Sequence, residues 1–196
     1  MKNDVVEYSE LLKQYGNEYI PYSIKLESVE WQEKRAKIIS RDGSKCTCCG
    51  ERATFPHHDG EKWVHVATWS EFKKECVESV DENGRYELLE YEEEMPFSST
   101  SNAPTILQVH HRYYIKGRLP WEYKSDALQT LCAECHQKLH NAERIKVYEA
   151  VEGIMIELEC QPCSRCNGAG YFPQYKKVNN GRCFKCEGAR YTGIIL

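Results

Sequence analysis

The segment LQVHHRYYIKGRLPWEYKSDALQTLCAECHQKLH, residues 107 to 140, holds four of the chain's seven histidines and two of its eleven cysteines. His110 and His111 are adjacent near one end. At the other, Cys132 and Cys135 run directly into His136 and His140. Imidazole and thiolate are the usual ligands of zinc, which takes four protein ligands in a structural site and about three in a catalytic one. Six candidates exceed what one ion needs. The segment therefore predicts two metals, one holding the fold and one reacting.

Spacing decides which residues can share an ion. His136 and His140 lie four apart on a predicted helix and share a face. His110 and His111 are neighbours on a predicted strand, TILQVHH, and point to opposite sides. One of that pair can bind metal while the other does something else. His110, His136 and His140 make a three-histidine site with positions left for water and a phosphate oxygen. His111, held nearby but off the metal, is the candidate general base. A divalent ion there would neutralise charge developing on a phosphoryl group. Mg2+, Mn2+, Ni2+ or Zn2+ could serve as this catalytic ion, and histidine ligands accept the last three more readily than Mg2+.

Eight cysteines fall into C-x-x-C pairs: Cys46/Cys49, Cys132/Cys135, Cys163/Cys166 and Cys183/Cys186. Such tight spacing suits zinc knuckles better than disulfides. Cys132 and Cys135 meeting Cys46 and Cys49 on one zinc would lock the start of the helix and so aim its histidines. CSRCNGAGY (163–171) and CFKCEGARY (183–191) are an internal repeat, and two such knuckles can face each other over a second structural zinc. Cys48, Cys76 and Cys160 read as free or buried thiols, although Cys48 and Cys160 could compete for places in the neighbouring pairs. The opening MKNDVVEYSELLKQYG carries acids and no apolar core, so it does not read as an export signal. No apolar run is long enough to cross a membrane. The expected setting is a reducing cytoplasm.

SRDGSKCTCCG, then VHH, then LQTLCAECHQKLH resembles the HNH endonuclease pattern with flanking zinc-knuckle cysteines. The resemblance covers residues from about 31 to 50 and from about 105 to 145. It implies a ββα-metal finger that cuts or nicks DNA. It implies that His110, His136 and His140 are metal ligands, that His111 is the general base, and that Cys46, Cys49, Cys132 and Cys135 hold a structural zinc. The family's middle asparagine has Ala127 in its place here. Asp126, Asn102 or another group could take over its work of pinning the loop and orienting the base histidine; without a substitute, catalysis would be weak or absent. The C-terminal repeat resembles half of the cysteine-rich zinc domain of J-domain chaperones. Its second copy has Arg190 where that C-x-x-C-x-G-x-G pattern has glycine.

The chain has 196 residues and a net charge of −4, unevenly placed. Glu71 to Glu94 carries ten acids against Lys73, Lys74 and Arg85, a net of −7, which leaves +3 elsewhere. Cys160 to Leu196 carries six bases (Arg165, Lys176, Lys177, Arg182, Lys185, Arg190) and one acid. A local basic surface is what phosphate contact needs. In RYYIKGRLPWEYK, Arg112, Lys116 and Arg118 are the candidate DNA contacts, whereas Trp121 and Tyr123 read as packing residues. DNA is thus the expected partner. A basic protein docking on the acidic segment is another.

The remaining elements follow from local signals. Tyr8 to Tyr15 predicts a short helix. Ser28 caps a helix through VEWQEKRAKIIS, with Trp31, Arg35, Ile38 and Ile39 along one side. KWVHVATW alternates like a strand, Asn83-Gly84 marks a hairpin turn, and PFSSTSNAPT reads as a loop. His57, His58 and His65 read as surface or packing histidines, a further histidine metal site being the alternative. IKVYEAVEGIMIELE reads as two strands joined near Glu152-Gly153. The expectation is an α+β protein: an N-terminal segment (1–27), an HNH-like core (28–145) with a β-rich acidic insertion at about 51–104, and a strand pair with a four-cysteine zinc module (146–196). Its expected activity is metal-dependent DNA phosphodiester hydrolysis. The rival expectations are an inactive zinc-finger protein that binds nucleic acid, and a protein-interaction module.

Overall fold

The buried hydroxyl of Ser28 accepts the Trp31 N–H at 3.4 Å and starts the longest helix. Trp31 and Ile38, two turns apart, bury its inner face. The computed structural model describes residues 5–80, 82–175 and 177–192. Asp81 and Lys176, counted in the charge runs above, lie outside the described residues. In chain order the elements are α1 (Tyr8–Tyr15), α2 (Tyr22–Lys25), α3 (Val29–Arg41), β1 (Phe55–His58), β2 (Trp63–Val80), β3 (Tyr86–Ser101), β4 (Leu107–His111), β5 (Tyr113–Ile115), β6 (Leu128–Cys132), α4 (Ala133–Ala142), β7 (Lys146–Val151), β8 (Ile154–Glu157), β9 (Gln161–Pro162) and β10 (Tyr191–Thr192). The protein is mixed α+β. Among the described residues no helix is long and apolar enough to cross a membrane.

The chain divides into two compact units. One is Ala53–Thr105, an antiparallel ribbon in the order β1-β2-β3. Every residue from His65 to Val80 pairs with one from Ser101 to Tyr86, and Gly84 (φ 79°) sits in the turn. The ribbon corrects one sequence expectation: Pro96–Ser101 is strand, not loop. Continuous partners from His65 to Ser70 complete the ladder there, and β3 is an edge strand, which tolerates Pro96. Pairing outweighs composition when a partner strand is present. His57 and His58 are exposed and His65 is half-buried; no metal-capable group among the described residues includes them.

The other unit takes in the described residues of Met1–Arg52 and Ile106–Leu196. The segments read separately above as 1–27, 28–145 outside its insertion, and 146–196 pack together in it. Two aromatic-rich clusters form its interior. One gathers Tyr22, Tyr114, Ile145, Val147, Cys160 and Tyr191; the other gathers Trp31, Ile38, Ile115, Tyr123, Ala127 and Leu128. β5 runs parallel to β7, which turns back into β8 through Glu152 (φ 50°) and Gly153 (φ 82°), the left-handed pair that a two-residue hairpin needs.

β4 pairs antiparallel with β6, and β6 leads directly into α4. The long loop between β4 and β6 is pinned without a central asparagine. The Arg112 N–H donates to the Ala127 carbonyl at 2.9 Å, and the Ile115 N–H donates to the Tyr123 hydroxyl at 2.7 Å. Arg41 reaches the carbonyls of Ser125 and Leu128. Asp42 accepts the Thr130 N–H at 3.0 Å and pairs with Arg41. Asp126 is exposed. Replacing Asp42 with alanine leaves the Thr130 N–H without its charged acceptor. The expected cost is about 1–2 kcal/mol, read as a lower urea midpoint at unchanged slope; an unchanged midpoint would show that water replaces the carboxylate.

Candidate metal centres

Three groups of side chains among the described residues could hold a metal ion. Two are the four-cysteine sets: Cys46, Cys49, Cys132 and Cys135, and Cys163, Cys166, Cys183 and Cys186. The Sγ–Sγ separations are 3.8 Å for Cys49–Cys132, 3.9 Å for Cys163–Cys183 and 3.7 Å for Cys166–Cys186. A disulfide would need about 2 Å. Four sulfurs placed tetrahedrally at about 2.3 Å from zinc are about 3.8 Å apart, so both sets fit that ion.

The knuckle backbones supply the turns. Gly50 (φ 81°) closes the first, and the Cys135 N–H donates to the Cys132 sulfur at 3.4 Å, so a candidate ligand sulfur also caps α4. Within each set one thiol is pushed toward thiolate while neighbours that share its hydrogen bonds, Cys49 and Cys135 in the first and Cys166 and Cys183 in the second, are pushed up. Burial pushes Cys46 up, but backbone N–H groups of Cys49, Cys132 and Cys48 bring it down to about 7. A hydrogen bond from Cys166 is the main cause that lowers Cys186 to about 5. Of the other cysteines, Cys48 and Cys76 are exposed, and Cys160 packs among Tyr22, Tyr114 and Tyr191.

The third group is His110, His136 and His140. β4 delivers His110, and successive turns of α4 deliver the other two. Their candidate ligand nitrogens lie within 4.8 Å of one another, and all three rings are buried. The ring centroids are 5.2 Å apart for His110–His136, 5.0 Å for His110–His140 and 4.7 Å for His136–His140. The His140 Nδ1–H donates to the Asn167 carbonyl at 3.2 Å, which fixes the tautomer and leaves Nε2 free to bind. That Nε2 has no hydrogen-bond partner, and neither do the two ring nitrogens of His110. Unpartnered buried nitrogens converging on one point are what a bound cation would satisfy. Burial first, then the proximity of the other histidines and of Arg190, holds His110 and His136 well below the usual imidazole range. Burial and Arg190 take His140 down to about 4. All three are therefore neutral at neutral pH, the form that ligates.

His111 faces the other side of β4, as its place next to His110 requires. It stacks on Trp31 at 5.1 Å and on Tyr114 at 5.4 Å, and meets Tyr123 edge-on at 4.7 Å. Its Nε2–H donates to the Pro120 carbonyl at 3.0 Å. It is 2% exposed, and burial lowers its pKa to about 3 despite that hydrogen bond. The structure does not bring His111 to the three-histidine group or to open solvent. The ring is also part of the core. His111→Ala is expected to cost about 2–4 kcal/mol through the cavity it leaves, measured by chemical denaturation. A loss below about 0.5 kcal/mol would show that the aromatic box is loosely packed.

A groove of about 460 Å³ opens beside the histidines. Trp31, Arg35, His136, Tyr171, Arg182 and Arg190 are among its walls. Arg35 also donates to the Leu107 carbonyl at 2.7 Å, and Arg182 pairs with Glu27. Arg112, Lys116 and Arg118, the candidates from sequence, do not line it. Arg112 is exposed, Lys116 pairs with Glu149 at 2.7 Å, and Arg118 lies over the Tyr123 ring. Trp121 packs on Tyr8, and Tyr123 is buried. Asp42, Asn167 and Arg35 carry no local signal that sequence reasoning could have used, because their partners are distant in the chain. Arg190 did carry one, as the arginine that breaks the repeat. No protein-family model, curated protein or solved structure matches the chain.

Proposed function

We propose that the protein is a metal-dependent endonuclease or nickase of the HNH type, hydrolysing DNA phosphodiester bonds at the three-histidine centre. The observation that carries this reading is the convergence of His110, His136 and His140 beside a groove walled by Arg35, Arg182 and Arg190. The β4–β6–α4 succession, with four cysteines gathered where β6 enters α4, fits the ββα-metal finger that the resemblance implies. A divalent ion bound there supplies Lewis-acid stabilisation of the phosphoryl group. The chain's own residues do the rest. Asn167 orients His140, and the cysteine-capped start of α4 holds His136 and His140 in register with His110. The arginines offer charge and paired donors to phosphate oxygens. His111 serves as proton acceptor through Nδ1, its Nε2–H being committed to Pro120. Trp31 both lines the groove and stacks on His111. A reducing cytoplasm keeps the eight zinc thiols available.

The test is a supercoiled-plasmid assay with Mg2+, Mn2+, Ni2+ or Zn2+, with EDTA as control. Nicked or linear product that needs metal is the expected result. A second reading, a zinc-finger protein that binds nucleic acid without cutting it, is favoured by one observation: His111 is closed off by aromatic rings, with Ala127 buried nearby in the same cluster as Trp31. It expects DNA binding that weakens steeply with salt and no product in any metal. The acidic ribbon, with Phe72, Tyr86 and Leu88 exposed on it, suits a basic protein partner as well. Such a partner would survive nuclease treatment and be lost when the glutamates from Glu90 to Glu94 are neutralised.

A further inference from the structure

The two C-terminal knuckles are copies, and Gly170 in the first corresponds to Arg190 in the second. Both adopt a left-handed backbone, φ 72° and 71°. Each carbonyl accepts the N–H of the first cysteine of the other copy: Cys183 to Gly170 at 3.0 Å, Cys163 to Arg190 at 2.8 Å. The position thus asks for glycine, and an arginine holds it under strain. The pair also stands back to back. A Cβ on Gly170 would meet the Arg190 Cγ at 2.9 Å, so only one copy can carry a side chain.

That side chain is unusual in its surroundings. Arg190 is 8% exposed, with its guanidinium over the rings of Tyr22 and Tyr114 at 5.2 and 5.4 Å. Nη1 donates to the Ala169 carbonyl at 2.8 Å, but Nε is buried with no partner. No carboxylate pairs with it among the described residues. A buried guanidinium without a carboxylate partner is costly, and an oxyanion brought to its fork would offset that cost. It lines the same groove as His136, and its charge acts on all three histidines of the centre.

We infer that Arg190 is an oxyanion-binding residue of the three-histidine centre, holding a phosphoryl oxygen of whatever occupies the groove. This rests on the phosphodiester reading above. It makes the second zinc module a part of the site, since the knuckle fold is what aims Arg190. The groove volume suits one or two nucleotide units.

Inorganic phosphate is the probe, titrated calorimetrically into full-length protein loaded with Mn2+, with zinc content measured in parallel. Arg190→Gln is expected to keep both zinc ions and to bind Mn2+ within about twofold of wild type, yet to bind phosphate at least about tenfold more weakly. Arg190→Lys, which keeps the charge but not the fork, should fall between. Phosphate binding by Arg190→Gln within about twofold of wild type would overturn the inference. So would loss of the knuckle zinc in that variant, which would make the guanidinium a counter-ion of the thiolates. Wild-type protein that takes up Mn2+ but not phosphate overturns the inference and leaves the metal centre standing. Wild-type protein that takes up no divalent ion at His110, His136 and His140 removes the proposed function itself.

Discussion

Chelating zinc from the Cys163–Cys186 set is expected to unfold the C-terminal module and to disorder the histidine centre with it. The module has little else to fold around. Its regular structure is two short helical turns and a pair of two-residue strands, and its interior is Cys163, Cys166, Cys183 and Ala169 with Phe172 and Cys186 against them. Zinc binding in such modules supplies apparent free energy on the order of 10–16 kcal/mol, far more than so small an apolar core. The contacts it would release reach inward. Asn167 holds His140, Gly188 packs on Ser23, and the Tyr191 hydroxyl donates to the Ile145 carbonyl at 3.0 Å. Cys183→Ser should therefore lower the melting temperature, lose one zinc per chain and open residues 160–192 to proteolysis. Unchanged protection in protein verified to lack that zinc would refute a structural role for the site.

The second large effect is at the histidines. His136→Ala or His140→Ala removes one of three ligands from a centre that offers no spare. Loss of an outer-shell partner alone weakens metal binding by about 10–100-fold, so loss of a ligand is expected to exceed about 100-fold. Wild-type protein should bind three metal ions per chain, two resistant to mild chelation and one exchangeable, and each variant should bind two. The cysteine sets are separate groups, so the two zinc ions should be unaffected. Three ions in both variants would place the exchangeable ion elsewhere.

Much of this arrangement was legible in sequence because it is local. The Ser28 cap, the i, i+4 histidines of α4, the opposite facing of His110 and His111, and the Glu152-Gly153 turn each depend on residues a few positions apart. The strand at Pro96–Ser101 was not legible, because its partner lies some thirty residues away and its composition favours a loop. Spacing assigned the cysteines to pairs, the resemblance and the internal repeat joined the pairs into two sets, and the fold gathers those same two sets. The surroundings of His111 were hidden for the same reason: Trp31, Tyr114 and Tyr123 come from three different elements. Arg112, Lys116 and Arg118 stood out as a basic, aromatic loop, but the pairing of Lys116 with Glu149 was hidden because Glu149 lies on β7. Of the groove arginines, Arg182 and Arg190 stood together in the basic C-terminal run, whereas Arg35, on α3, lies far from them in the chain.

The most direct measurement is plasmid nicking by wild type beside His140→Ala, both verified to be folded and to hold two zinc ions. The account predicts product from the wild type in at least one of Mg2+, Mn2+, Ni2+ or Zn2+, abolished by EDTA and reduced at least about 1,000-fold in the variant, the scale expected when a transition-state electrostatic group is lost. Equal nicking by the two proteins, or none by wild type in any metal, would contradict it.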